Sequence, residues 1–261
     1  MSEIDNVAEQ YATDANLNAR IALHARFSTN PTWGRWLFEQ EAPPPEARIL
    51  ELGCGPATTL WGANLERLDP TWHITLSDFS AGMIDAARDV LGDRAEYAVA
   101  NAGDLPFADE SFDVVLANHM LYHVGDRPKA FAEIRRVLVP GGVFHAATNG
   151  DGHMRELGAL TDWWPPDVHT RAFGLESGPG QLEPFFADIR VERFDDNLAV
   201  TDVEPVLAYL RSSWRYDGHG LEKERAAVEA AIERDGVFLV HKSQGVISCR
   251  KPGPATSGPA A

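Results

Sequence analysis

The chain has 261 residues, 44% of them hydrophobic and 24% charged, which are ordinary globular values and exclude a fibrous or wholly disordered chain. Its 23 basic and 39 acidic residues leave a formal charge of −16, without a Lys/Arg-rich run, and such a surface repels nucleic-acid phosphates and anionic headgroups. No stretch approaches the roughly 18 apolar residues of a membrane helix, and the acidic start MSEIDNVAEQ is unlike a secretory signal. The expectation is a cytoplasmic chain with no nucleic-acid or membrane partner. Cys54 and Cys249 are too few for a disulfide scaffold or a cysteine-built zinc site.

Residues 1–46 read as helical and end in the breaker run Ala42-Pro43-Pro44-Pro45; Leu17, Ile21, Leu23, Ala25 and Phe27 partly follow helical spacing. Trp33, Trp36 and Leu37 form a second short apolar face. From residue 47 the pattern alternates. ARILEL (47–52) opens onto GCGP and a helix is expected over ATTLWGANLERL; WHITLS (72–77) then runs to Asp78. Ser80 is placed to cap AGMIDAARDVL, and AEYAVA (95–100) and FDVVLA (112–117) are the third and fourth strands. Asp126, with Pro128 behind it, caps a helix carrying Phe131, Ile134, Val137 and Leu138 on one face. Val139-Pro140-Gly141-Gly142 stops that helix before a fifth strand, VFHAAT (143–148). Residues 150–235 lose the rhythm and are richer in Trp, Pro and Gly, and 252–261 read as a disordered tail.

Near-continuous apolar strands alternating with helices predict a doubly wound, mostly parallel sheet, with ligands taken outside the strands' C-terminal ends. Polar and glycine residues gather at those ends. Gly53 and Gly55 allow a sharp turn and a ligand against bare backbone at a helix N-terminus. Thr58 stands where a dinucleotide fingerprint has its third glycine, which disfavours a nicotinamide cofactor. Asp78 suits a ribose diol or, alternatively, a helix cap; Phe79 and Met83 suit a purine or the core. His119 and His123 have the spacing of two metal ligands only if helical, and lack a third; no metal is expected.

The ordered set ILELGCGPATTL, ITLSDFSAGMIDAA, NAGDLPFADESFDVVLANHMLYHV and EIRRVLVPGGVF resembles the class I S-adenosylmethionine-dependent methyltransferases, in the small-molecule branch of the ubiquinone/menaquinone-biosynthesis type. The likeness covers residues 47–148. It implies a Rossmann-like sheet of seven strands, the last antiparallel, with IRVERF (189–194) and VISCRK (246–251) as the final two. It also implies an N-terminal helical lid (1–46), a methyltransferase domain (47–251) and a substrate-cover insertion at about 150–235.

The implied cofactor is S-adenosylmethionine, with S-adenosylhomocysteine as product. Glu51, Gly53, Cys54 and Gly55 would line its methionine and ribose, Asp78 its ribose, and Phe79 and Met83 its adenine. Asn101 and Ala102 stand where the family usually has Asp-Ala against the adenine edge, and Asn118 and His119 would present carbonyls to the ammonium. Tyr11 on the lid helix would also touch the cofactor, with Arg20 and His24 as further polar candidates there, and Trp163, Trp164, Trp214 and Tyr216 suit a ring-bearing acceptor. The catalytic candidates are His119, Tyr122 and His123. His123 reads equally as a base, a substrate-orienting donor or a packed side chain. The resemblance leaves the methylated atom and the oligomeric state open. Its rival is a protein of the same fold that holds the cofactor for other chemistry or as a sensor.

Overall fold

The computed structural model describes residues 14–163, 172–213 and 216–253, with side chains from Arg20 onward. Tyr11, Trp164, Trp214 and the tail beyond Gly253 lie outside the described residues.

Seven strands form the central sheet: β1 (Arg48–Leu52), β2 (His73–Asp78), β3 (Ala95–Val99), β4 (Phe112–Leu116), β5 (Leu138–Asn149), β6 (Ala187–Phe194) and β9 (Gln244–Arg250). Their order is β3-β2-β1-β4-β5-β9-β6. All pairings are parallel except those of β9, which runs antiparallel to β5 and to β6. This is the expected sheet, and the order reverses between β1 and β4, where a ligand crevice opens.

Alternation of side chains distributes the apolar strand residues over two faces. Leu50, Leu52, Val115, Ala117, Phe144 and Ile247 pack with Phe131 and Ile134 of a helix at Arg127–Val137. Ile49, Ile74, Leu76, Val114, Leu116 and Val246 pack with Ile84, Ala87 and Leu91 of another at Ala81–Leu91, and with Leu37. In chain order the helices are α1 (Asp14–Phe27), α2 (Trp33–Gln40), α3 (Ala81–Leu91), α4 (Arg127–Val137), α5 (Arg155–Leu160), α6 (Gly178–Leu182), α7 (Val203–Arg211) and α8 (Glu222–Asp235).

Local signals succeed at α4, where the Asp126 side chain accepts from the Lys129 N–H at 3.1 Å. At α3, Ser80 is the N-cap residue but its side chain makes no cap bond; Asp78 Oδ1 instead accepts from the Ser80 N–H at 2.9 Å. The helix expected over 57–68 does not form. Ala57 is left-handed (φ 57°), the Gly62 and Ala63 N–H groups reach back five residues, and a 3-10 turn follows at Gly62–Arg67. Asn64 is the cause: its amide donates to the carbonyls of Leu60 (2.7 Å) and Gly34 (3.1 Å), competing with the helical ladder. The fifth strand begins at Leu138 rather than 143, because Pro-Gly-Gly is carried within the strand at a register shift.

A third core lies beside the sheet. A two-stranded antiparallel sheet of β7 (Asn197–Val200) and β8 (Phe238–His241) packs with α1, α5, α7 and α8 through Leu23, Phe27, Leu157, Leu198, Val206, Leu210, Val228 and Val240. The chain enters this cap at its N-terminus, where Ser28 bridges to Leu198. The cap therefore combines α1 with pieces of the 150–241 segment, while β6 from that segment joins the sheet. Helix α2 covers one sheet face through Leu37 rather than joining the cap.

Candidate cofactor and acceptor site

The crevice is floored by the turn after β1. Gly53 and Gly55 both have left-handed backbones (φ 61° and 53°), and a Cβ on Gly53 would sit 2.8 Å from Met120 Cβ. A Cβ on Gly55 would meet nothing within 4 Å, so this stretch of backbone faces open space. Asp78, 5% exposed at the end of β2, accepts from the Gly55 N–H (3.0 Å) through Oδ2 and from Ser80 through Oδ1. It thus shapes the turn, and a carboxylate has further lone pairs for a diol. Phe79 is half exposed beside it, and Met83 is partly buried. Cys54 is buried, with its thiol pushed well above the usual range by burial and then by Glu51 and Asp78, so it is neutral.

Across the crevice, Asn101 is exposed, with its side-chain oxygen accepting from the Gly103 N–H at 2.8 Å. That oxygen shapes the loop, while Ala102 is anchored in the core. The expected role for the Asn101 oxygen at an adenine amine therefore falls to its second lone pair.

The end of β4 carries the densest polar arrangement. Glu51 is 4% exposed; Trp61 Nε1 donates to its Oε2, and Asn118 Nδ2 donates to its Oε1 at 3.2 Å. The same Asn118 nitrogen donates to Glu41 Oε2 at 3.2 Å. Burial raises the Glu51 carboxyl to about 7, and burial followed by the Glu51 charge holds Glu41 well above the usual range. Glu41 and Trp61 escaped the sequence reading, since neither belongs to a motif and Trp61 has the apolar spacing of an ordinary core residue.

His119 follows with a left-handed backbone (φ 54°), uncommon for a non-glycine residue, while its N–H reaches the Ala147 carbonyl at 2.8 Å. Its ring lies 5.6 Å from that of Trp33, which contacts Trp36 and Phe194 at 5.4 Å each. His24 from α1 lies close enough to His153 of the β5–α5 loop to lower its basicity, and His119 lowers both. Burial first, and then nearby positive charge, brings His24 and His119 to about 4 and His153 to about 3, so all three are neutral at pH 7. The Ser243 N–H donates to His153 Nδ1 at 3.1 Å, which puts the ring proton on Nε2.

Tyr122 and His123 share the 3-10 turn Leu121–His123, ring against ring at 4.5 Å. The left-handed His119 lies outside that turn, so the helical i, i+4 metal spacing does not arise. Of the aromatic residues named for the acceptor, Trp163 and Tyr216 pack on the cap core; beside His119 stands Trp33, which in turn contacts Trp36 and Phe194.

Residues 50–146 match the family model described as a methyltransferase domain. The chain is 40% identical over 125 residues to malonyl-[acyl-carrier protein] O-methyltransferase of Geobacter sulfurreducens, covering 47% of this chain and 45% of that protein. It is 32% identical over 158 residues to the ubiquinone/menaquinone biosynthesis C-methyltransferase UbiE of Xanthomonas campestris pv. campestris, covering 58% of each. The matches thus span about half the length of these curated relatives.

Among solved structures, phosphoethanolamine N-methyltransferase 2 of Haemonchus contortus, in complex with phosphomonomethylethanolamine and S-adenosylhomocysteine, shares the fold. Its TM-score is 0.61 at 19% identity, over 97% of this chain and 60% of that one. YcgJ of Bacillus subtilis shares it at a TM-score of 0.59 and 16% identity, over 85% of this chain and 98% of that one. The match to a methyltransferase domain thus falls on residues 50–146, which carry β1 to β4 and most of β5 of a Rossmann-like sheet. More particularly, the chain resembles the class I S-adenosylmethionine-dependent methyltransferases of the UbiE type.

The described residues fit such a cofactor. Bare backbone at Gly55, the lone pairs left on Asp78 and a buried Glu41 oxygen without a donor make a polar trough along the β1, β2 and β4 ends.

Proposed function

We propose that the protein transfers the methyl group of S-adenosylmethionine to a small, ring-bearing organic acceptor, releasing S-adenosylhomocysteine. The observation that carries this reading is the Gly53–Gly55 turn tied to Asp78, with Glu51 and Asn118 beside it at the strand-order reversal. Asp78 would hold the ribose, Phe79 and Met83 the adenine, and the 118–119 segment the amino-acid end. The bound sulfonium would supply an already activated methyl group. The chain's own work is then alignment and exclusion of water. The Trp33–Trp36–Phe194 wall suits a planar acceptor against His119.

An acceptor that must lose a proton meets neutral imidazoles at His119, His24 and His153. His123 and Tyr122, one turn further, complete the catalytic candidates. The α1 helix and the 150–241 segment would cover the acceptor. The protein would work in the cytoplasm, in keeping with two free, buried cysteines.

Calorimetric titration with S-adenosylmethionine, S-adenosylhomocysteine and NADH tests this. Micromolar binding of the first two alone supports the reading, and silence with acceptors also present overturns it. Methyl release from labelled cofactor separates catalysis from a sensor role. In that assay His123→Ala is expected to lower turnover by about a hundredfold with cofactor affinity near wild type; lost cofactor binding would move His123 out of the acceptor side.

A further inference from the structure

Glu41 reaches the site from outside the sheet, at the C-terminal end of α2. It is 2% exposed, and its two oxygens differ: Oε2 accepts from Asn118, while Oε1 is buried without a hydrogen-bond partner. The Asn118 amide oxygen faces the Ala147 N–H at 3.3 Å, which directs the amide nitrogen to the two carboxyls. One nitrogen therefore bridges Glu41 and Glu51 at 3.2 Å each.

Among the described residues, the groups facing this pair carry no positive charge. Glu41 faces Glu51 and Asn118, while Glu51 faces Trp61, Asn118 and Asp78. The neutral Cys54 thiol lies beside Glu51 and Asp78, and His119, neutral at pH 7, follows Asn118 in the chain. A buried carboxyl with a bare oxygen and an acidic neighbour is destabilised in either protonation state. A small cation bearing N–H groups relieves both defects, giving Oε1 a donor and the pair a counter-charge.

We propose that Glu41 and Glu51, bridged by Asn118, form a two-carboxyl seat for the ammonium group of the cofactor, and that Glu41 is a cofactor-binding residue supplied by α2. The inference rests on the cofactor reading above. An ammonium suits the seat better than a bare metal ion, because it brings the N–H donor that Glu41 Oε1 lacks, and among the described residues no group of three or more His, Cys, Asp and Glu side chains could hold a metal. Seating the ammonium favours ionised carboxyls, so binding releases protons near pH 7. The seat also couples α2 to the cofactor, because Trp33 and Trp36 on the same helix form the wall beside His119.

The test is calorimetric titration of the wild-type chain and Glu41→Gln at pH 7, in two buffers of different ionisation heat. The ligands are S-adenosylmethionine, S-adenosylhomocysteine and 5′-methylthioadenosine, which keeps the adenosine and lacks the amino-acid end. Glu41→Gln is expected to weaken the first two by about tenfold or more, to leave methylthioadenosine within about twofold, and to release fewer protons. A thermal midpoint at or above wild type shows that the variant folds.

Equal loss for all three ligands overturns the seat and makes Glu41 structural. Unchanged affinities with unchanged proton release overturn it as well. Failure of the wild-type chain to bind any of the three overturns the cofactor reading, and the seat with it.

Discussion

Asp196 and Glu41 are both 2% exposed carboxylic acids, yet their surroundings are opposite. Asp196 accepts from Ser28 Oγ (2.9 Å), the Asn30 N–H (2.9 Å) and Thr29 Oγ1 (3.3 Å), and pairs with Lys242 Nζ at 2.5 Å. It stays ionised, since the Lys242 and Ser28 contacts outweigh burial and hold it below the usual carboxylate range. Glu41 has one donor, no counter-charge and a raised pKa. A carboxylate whose lone pairs are filled by its own chain holds that chain together. Asp196 in this way ties the segment after α1 to the β8–β9 connection bearing Lys242. A carboxyl left half-partnered is available to something the chain does not contain.

Asp196→Asn probes the filled side of this contrast most severely. It leaves the Lys242 ammonium buried without a counter-charge and should cost about 3–5 kcal/mol in chemical denaturation at pH 7. A loss below about 1 kcal/mol, the scale of an exposed pair, would erase the distinction. The normal contribution of Asp196 is present above the unfolded Asp value near about 3.9 and is lost as pH falls through its lower folded value.

Stability against pH separates the two sides by sign. Glu51 folds with its carboxyl raised to about 7, so the ligand-free native state holds a proton that the unfolded chain has released. Its contribution therefore falls as pH rises from the unfolded Glu value to about 7, and Glu41 acts in the same direction. His24, His119, His145 and His153 act oppositely. Their folded values of about 3 to 4 lie below the unfolded one, so stability is lost as pH falls from about 6.5 towards those values.

The acidic contribution must accordingly be read as a difference. Glu51→Gln should gain on wild type by about 3 kcal/mol between pH 5 and 8 in ligand-free melts. A constant difference across that range would remove the strained carboxyl from the account.

Asp78 is the intermediate case, with two backbone donors and lone pairs to spare. Asp78→Ala should weaken cofactor binding by about tenfold, equivalent to about 1.4 kcal/mol. Unchanged affinity would make Asp78 a turn-former of the Asp196 kind.

Much of the site was legible because chain-local signals carried it. The turn at Gly53 and Gly55 needs a backbone that glycine adopts readily, and Asp78 ends a strand whose apolar run is plain in the sequence. The cap at Asp126 is likewise a contact three residues long. Where a side chain competed with backbone periodicity the reading failed. Asn64 has an unremarkable place in a helical pattern, but its amide is drawn to Leu60 and Gly34, and the second of these lies 30 residues away. Ser80 sits where a cap belongs, yet its side chain makes no cap bond, and its own N–H is drawn to Asp78.

The sequence by itself determined the alternating strands and helices, the crevice at their C-terminal ends and the residues of the glycine turn, because each depends on periodicity or on one residue's backbone freedom. Only the tertiary structure decided which polar groups meet. The joining of Glu41 to Glu51, of Lys242 to Asp196, and of His24 to His119 and His153 brings together residues far apart in the chain. So does the packing of Trp33 against His119 and Phe194. The physical reason is that burial and partnership set the protonation of these groups, and both arise only when α1, α2 and the 150–241 segment close over the sheet.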